Sequence, residues 1–190
     1  FIGGCRLGEC NYITHGNYDA LGTALLCKKI LAHIGLIPDR LRIEFMSSGD
    51  GILLAQKIND FSKEIRKIGP LGRAEGIEDK SMKLKLASAR KLVPFIRLVE
   101  RERLRMPEKT EAAYRDFYAG DEFAALFDEL IAGRMAISQI MLLLEEKPLS
   151  TGEMAEILGL NPSEISRHIN RSSRQGLVRY DQSRNCYALA

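Results

Sequence analysis

The stretch Ser150-Thr151-Gly152-Glu153-Met154-Ala155-Glu156-Ile157-Leu158-Gly159-Leu160-Asn161-Pro162-Ser163 fixes two helices and the turn between them. Ser150 and Glu153 have the spacing of a capping box, which opens a helix running through Leu158. Gly159-Leu160-Asn161 is a tight turn. Asn161 is placed to cap the next helix, and Pro162 stands at its first position, where its missing N–H costs nothing. That helix runs from Ser163 to about Gln175 and stops at Gly176. Upstream, residues 134–146 form an apolar-rich helix carrying Met135, Ile137, Ile140, Met141 and Leu144. Downstream, Leu177-Val178-Arg179-Tyr180 and Cys186-Tyr187-Ala188-Leu189 flank the polar stretch Asp181 to Asn185, which makes a hairpin. Helix, helix, turn, helix and hairpin make residues 133–190 a winged helix-turn-helix.

The helix after the turn has the composition of a recognition helix. Arg167, Arg171 and Arg174 recur at steps of four and three and so share a face, while Ile165 and Ile169 turn to the core. Ser163, Ser166, His168 and Asn170 add hydrogen-bonding groups. Such a helix can enter a major groove, and Arg179 and Arg184 in the wing can reach phosphates. Yet residues 148–190 carry a net charge of only +1, with Glu153, Glu156 and Glu164 offsetting the arginines. Duplex affinity grows with the number of phosphates neutralised, so a monomer would bind weakly. Two readings of the module stay open at this point, duplex binding and protein docking.

Working outward, residues 1–70 read as α/β. Ala20, Ala24, Cys27, Leu31 and Ile34 mark a helical stripe that ends at Gly35 and Pro38. Leu41, Ile43 and Phe45 alternate with Arg40, Arg42 and Glu44, the pattern of a half-exposed strand. Ser47-Ser48-Gly49-Asp50-Gly51 is a turn, and a second helix carries Leu54, Ile58, Phe61, Ile65 and Ile68 on its inner stripe. This order implies parallel pairing, with the first helix as crossover. The opening Phe1-Ile2-Gly3-Gly4 reads as the end of a buried strand, so more chain is expected upstream. Residues 69–80 read as a linker. A helix from Ser81 to about Arg105, kinked at Pro94, and another from Thr110 to Leu130, broken near Gly120, make 71–132 a helical linker or docking section.

Bulk properties agree with this plan. The 190 residues are 45% hydrophobic and 28% charged with a net charge of +3, close to ordinary soluble globular proteins. A disordered chain, a collagen-like repeat and a disulfide-dense miniprotein are excluded. No run of apolar residues is long enough to span a bilayer and no secretory leader is visible, so a cytoplasmic protein without membrane contact is expected. Residues 71–110 carry net +5 and residues 111–147 net −5, halves that can pair with each other or with a partner. No nucleophile–base pair, phosphate loop or paired-carboxylate site stands out. Catalysis by this chain alone is therefore not expected.

The remaining chemistry lies in cysteines. Cys5 and Cys10 stand in Gly3-Gly4-Cys5-Arg6-Leu7-Gly8-Glu9-Cys10. Four intervening residues match one pair in plant-type [2Fe–2S] ligation, and small neighbours let amides approach the sulfurs. On spacing alone, a cluster and two reduced thiols in a loop are both open, and structural zinc is a third reading. Cys27 and Cys186 read as packing thiols, and His15 and His33 as surface histidines.

Gly4-Cys5-Arg6-Leu7-Gly8-Glu9-Cys10-Asn11-Tyr12, then Gly16-Asn17-Tyr18 and the helix that follows, resemble the delta subunit of methyl-viologen-reducing hydrogenase. The similarity continues through Pro38-Asp39-Arg40-Leu41-Arg42-Ile43-Glu44, the Ser47-to-Gly51 turn and Ile68-Gly69-Pro70, covering residues 1–70. Thr14-His15-Gly16 is one residue longer than the usual pattern, and the winged helix is an appended module. The resemblance implies an iron–sulfur subunit that carries electrons. Its expected partners are a hydrogenase, formate- or NADH-oxidising module and the flavin subunit of a heterodisulfide reductase. It further implies a [2Fe–2S] cluster, with Cys5 and Cys10 as the last two cysteines of the motif and the other ligands upstream. The rival expectation is a redox-responsive transcription regulator that binds DNA through Arg167, Arg171, Arg174 and Arg179.

Overall fold

The computed structural model describes residues 1–11 and 15–190. Tyr12 and Thr14, which form part of the resemblance, lie outside the described residues. The chain divides into two compact units. One comprises Phe1–Glu78 with Leu98–Leu126, and the other Asp79–Arg97 with Phe127–Ala190.

In the first unit, β1 (Ile2–Gly4) and β2 (Ile43–Phe45) pair in parallel, with Ile2 opposite Ile43 and Gly4 opposite Phe45. The crossover between them is α1 (Gly16–His33) followed by a 3-10 turn at Pro38–Arg40. This is the order that the alternation of strand and helix predicted. Gly4 sits close under Phe45: a Cβ there would lie 3.0 Å from the ring, which would have to give by a few tenths of an ångström.

The buried side of α1 is wider than the expected stripe, of which Ala24 and, just past the helix, Ile34 are buried. Asn17, Leu21, Gly22, Ala24 and Leu26 are buried, while Cys27 is only half-buried. The helix is covered on two sides, so no single stripe describes it. Beyond Gly22 stand the rings of Tyr114 and Tyr118, 3.2 Å from where a Cβ would be. Both rings belong to a helix at Glu111–Ala119, which is capped by Thr110 and ends at Gly120, the expected break. Tyr114 stacks on Tyr118, and Phe123 adds a tilted ring with its centroid 4.6 Å from that of Tyr118.

A second difference concerns α2 (Gly51–Ile68). Its stripe exists, but Leu54 and Ile58 are exposed and only Phe61, Ile65 and Ile68 are half-buried. Eighteen helical residues extend about 27 Å, and the three-residue strands about 10 Å, so the pair covers only part of the helix. The segment read as a linker is an ordered turn. Arg40 Nε donates to Glu75 Oε1 at 2.6 Å, and the guanidinium also reaches the Gly69 and Pro70 carbonyls at 2.8 and 3.1 Å. Glu75 further accepts from the amides of Ile37 and Gly72.

The helix α3 (Asp79–Arg103) runs its 25 residues through Pro94 without interruption. The tyrosine-bearing helix that follows it is α4 (Glu111–Ala119). Next, α5 (Asp121–Phe127) leads through a π-helical turn at Asp128–Ala132 into α6 (Gly133–Glu146). In the second unit α7 (Thr151–Leu158), α8 (Pro162–Arg174), β3 (Val178–Asp181) and β4 (Cys186–Leu189) follow. Ile140, Leu143, Leu144, Leu149, Met154, Ile165, Ile169 and Val178 form one buried cluster under the hairpin. Both reciprocal bonds of the capping box are present, Gly159 is left-handed at φ 65, and Asn161 Oδ1 accepts from Ser163 N. β3 and β4 are antiparallel, and Leu149 bridges to Tyr187 beside them. The result is a winged helix-turn-helix at the C-terminus, with a mixed α/β and helical remainder.

Candidate metal centre

Both loops of interest leave the carboxyl ends of the parallel strands, the usual place for a site on such a sheet. After β1 the chain turns at Arg6-Leu7-Gly8-Glu9, where Glu9 N donates to the Arg6 carbonyl at 2.9 Å. Gly8 has φ +85, a left-handed value that a type II turn needs at its third residue and that favours glycine. The turn reverses the chain between Cys5 and Cys10, so one cysteine flanks each side of it. Cys5 is exposed and Cys10 half-buried, and neither is in a disulfide.

Two groups hold this loop that the cysteine spacing alone did not reveal. The buried Asn17 amide donates to the Arg6 carbonyl and reaches the Cys5 carbonyl at 3.5 Å, while its Oδ1 accepts from Tyr18 N at 3.0 Å. Arg6 Nη2 donates to Asp50 Oδ2 at 2.8 Å, and the same oxygen accepts from Ser47 N at 2.8 Å. The Ser47 amide first, and then the Arg6 guanidinium, hold the Asp50 carboxyl below the usual carboxylate range. The cysteine loop is thereby tied to the turn before α2. Replacing Asn17 by alanine leaves the Arg6 carbonyl without its donor. It is expected to lower the stability of the first unit by about 1–3 kcal/mol in a denaturant titration.

As a donor set the loop supplies two thiolates. Among the described residues no group of three or more His, Cys, Asp or Glu could hold a metal. A [2Fe–2S] cluster takes four ligands, so Cys5 and Cys10 fit one half of one. His15 is exposed at the start of α1, and His33 is exposed at its end. Cys27 lies outside this loop. Burial first, and then the Glu100 carboxylate, push its thiol pKa up, which keeps it protonated. Cys186 is buried in the wing.

In the second unit, α8 presents Arg167, Asn170, Arg171 and Arg174 with Arg179 exposed on β3. Arg167 meets Glu164 at 3.5 Å. Arg179 Nε donates across the hairpin to the Leu189 carbonyl at 3.3 Å. Ile165 and Ile169 take the buried side, as the spacing predicted, and Ser172 joins them.

Residues 1–69 match the family described as methyl-viologen-reducing hydrogenase, delta subunit. The N-terminal segment is a domain of that family. Over 69 residues the chain is 42% identical to a hydrogenase iron–sulfur subunit from Archaeoglobus profundus, covering 36% of this chain and 50% of that one. Over 71 residues it is 44% identical to a CoB-CoM heterodisulfide reductase subunit from Methanosarcina acetivorans, covering 37% of this chain and 9% of that one. The corresponding reductase subunit from Methanosarcina mazei matches to the same extent. The chain thus spans about half, or much less, of the length of the curated relatives it matches. Residues 138–180 match the family described as bacterial regulatory protein, arsR family, so the winged helix joined to the delta-type domain is of that kind. No solved structure matches. Among the described residues no helix is long and apolar enough to cross a membrane.

Proposed function

We propose that the chain is an electron-carrying iron–sulfur subunit of a cytoplasmic anaerobic oxidoreductase complex. Cys5 and Cys10 hold one side of a [2Fe–2S] cluster whose other thiolates come from outside the described residues. The cluster supplies one-electron transfer. This chain's own residues shape its loop: Asn17 and Arg6 hold the backbone between the thiolates, and Gly8 allows the turn. In this reading 1–70 carries the electron-transfer site, 71–132 is scaffold and docking surface, and 133–190 is the appended winged helix.

The single observation that carries the reading is the pinned Cys5–Cys10 turn, at the carboxyl end of a parallel pair, inside the segment that matches iron–sulfur subunits. A second fact supports the choice of partners. The same unit of about seventy residues occurs in a hydrogenase iron–sulfur subunit and inside a much longer heterodisulfide reductase polypeptide. A module that belongs to one protein and is fused into another supports a working contact between the two kinds of polypeptide. This supports a hydrogenase and a heterodisulfide reductase-like polypeptide as the partners. The flavin subunit as acceptor, and a formate- or NADH-oxidising module as an alternative donor, are what the family resemblance adds. The test is electron paramagnetic resonance on the protein purified anaerobically from its native host. Dithionite should produce a [2Fe–2S] signal that oxidised benzyl viologen removes within one turnover. Absence of any reducible signal contradicts the reading.

The exposed Arg167–Arg171–Arg174 face, in a segment of arsR type, supports a second reading, a redox-responsive DNA-binding regulator. Its own prediction is separate. A duplex should be retarded at low salt, and Arg171→Ala should weaken that binding by about tenfold while leaving the fold intact, within the about 1–3 kcal/mol of one arginine contact. Equal retardation by the variant excludes α8 as the reading helix.

A further inference from the structure

From Lys80 to Val99 the chain carries six lysines and arginines and no carboxylate. This run lies on α3, and the helix sorts its cations by face. Leu84 packs against the buried cluster of the winged helix, and the Ser88 carbonyl accepts from Ser138 Oγ of α6 at 3.3 Å. Lys80 and Lys91 reach Glu146 and Glu145 of α6 at 3.8 and 2.7 Å. Lys83, Arg90 and Arg97 lie on the side turned away from α6. Steps of seven residues put them within about 40° of one line, about 10.5 Å apart along the axis. All three are exposed, and the exposed Ala87 and Pro94 separate them. None of the three is paired with a carboxylate among the described residues.

The matching charge is carried by the same chain. Residues 116–133 hold five carboxylates, Asp116, Asp121, Glu122, Asp128 and Glu129, and no lysine or arginine. All five are exposed, and among the described residues none is paired with a cation. Asp128 and Glu129 open the π-helical turn, in the same unit as the stripe. Asp121 and Glu122 stand seven residues before them, the step that also spaces the cations. Arg134, the next cation along, is engaged elsewhere, its guanidinium over the Phe95 ring at 4.1 Å. That contact sets the turn beside the Arg97 end of α3, while the stripe looks outward from the opposite side of the helix. Within one copy the cations and these carboxylates therefore do not meet. A second copy related by a two-fold axis brings them together, and each contact then occurs twice.

We infer that the α3 stripe of one copy docks on the acidic turn at Asp128 and Glu129 of a second copy of this chain. Lys83, Arg90 and Arg97 supply the cations, and the short side chains of Ala87 and Pro94 let the partner approach between them. Val93, 47% exposed beside Pro94, gives the contact an apolar part. A single exposed ion pair contributes little, so this reciprocal set yields a weak dimer that salt dissociates. The contact involves no cysteine, so a chain that proves monomeric leaves the electron-transfer reading untouched.

The test is sedimentation velocity on the full 190-residue chain, kept reduced. The wild type should dimerise with rising concentration at about 0.02 M salt and be monomeric at about 0.5 M. Two variants carry reversed charges: Lys83→Glu with Arg90→Glu and Arg97→Glu, and Asp128→Lys with Glu129→Lys. Every substituted side chain is exposed, and circular dichroism checks that each variant folds. Each variant alone should associate more weakly than the wild type by about tenfold or more. An equal mixture of the two should recover the dimer, because the two-fold pair then restores every contact between opposite charges. The proposal is overturned if the wild type stays monomeric at low salt, or if either variant dimerises as well as the wild type. It is also overturned if the mixture stays monomeric. A monomeric wild type that binds a DNA duplex through the stripe, with that binding lost in the first variant, would show that phosphates and not a second copy are the partner.

Discussion

Glu75→Gln is expected to destabilise the first unit by about 3 kcal/mol, the cost of breaking one partner from a buried ion pair. The Glu75 side chain is 2% exposed and that of Arg40 10% exposed, so water cannot replace what the substitution removes. The guanidinium keeps the Gly69 and Pro70 carbonyls but loses its counter-charge, and the amides of Ile37 and Gly72 lose a charged acceptor. The sign of the pH dependence follows. The Arg40 hydrogen bonds, opposed by burial, bring the Glu75 carboxyl down from an ordinary 4.5 to about 2. A carboxyl depressed on folding stabilises fully above its unfolded value and loses that contribution as pH falls through the folded one. Urea titrations should therefore show the full difference between wild type and variant at pH 6. The gap should narrow below about pH 4.5 and close near pH 2. A difference that does not change with pH would mean that the pair contributes by shape alone.

The largest functional effect is expected at the cysteines. Serine at Cys5 or at Cys10 should remove essentially all cluster iron, since a hydroxyl of high pKa is a poor substitute for a cluster thiolate. The comparison that makes this specific is Cys27→Ser. Cys27 lies half-buried on α1 with its pKa raised, outside the loop, and its replacement should leave iron content unchanged. Asn17→Ala falls between the two, because it loosens the loop without removing a ligand. Equal iron loss in all three variants would indicate unfolding, and circular dichroism on each separates that outcome from loss of a ligand.

The parts of this fold that could be read from the sequence are those encoded locally. Ser150 with Glu153, Gly159, and Asn161 with Pro162 each act within a few residues, and each caps or turns the chain where the letters indicate. Parallel pairing was likewise legible, because a strand, a helix and a strand leave few alternatives. What was hidden depends on distant partners. Arg40 finds Glu75 thirty-five positions away, which turns an apparent linker into an anchored turn. Asn17 finds Arg6 eleven positions back, and no periodicity marks it as the residue that holds the cysteine loop. The stripe of α1 is only part of its buried surface, because α4 covers a second side, through Tyr114 and Tyr118 against Gly22. The stripe of α2 was read correctly as a pattern, but the two short strands cover only its later turns.

The most direct test of the central claim is the metal content of the protein purified anaerobically from its native host, with iron, sulfide and zinc measured beside a visible spectrum. The account predicts a brown protein with about two irons and two sulfides per Cys5–Cys10 loop, and negligible zinc. A colourless protein free of iron, or one holding zinc in its place, would contradict it and leave the winged helix as the working part of the chain.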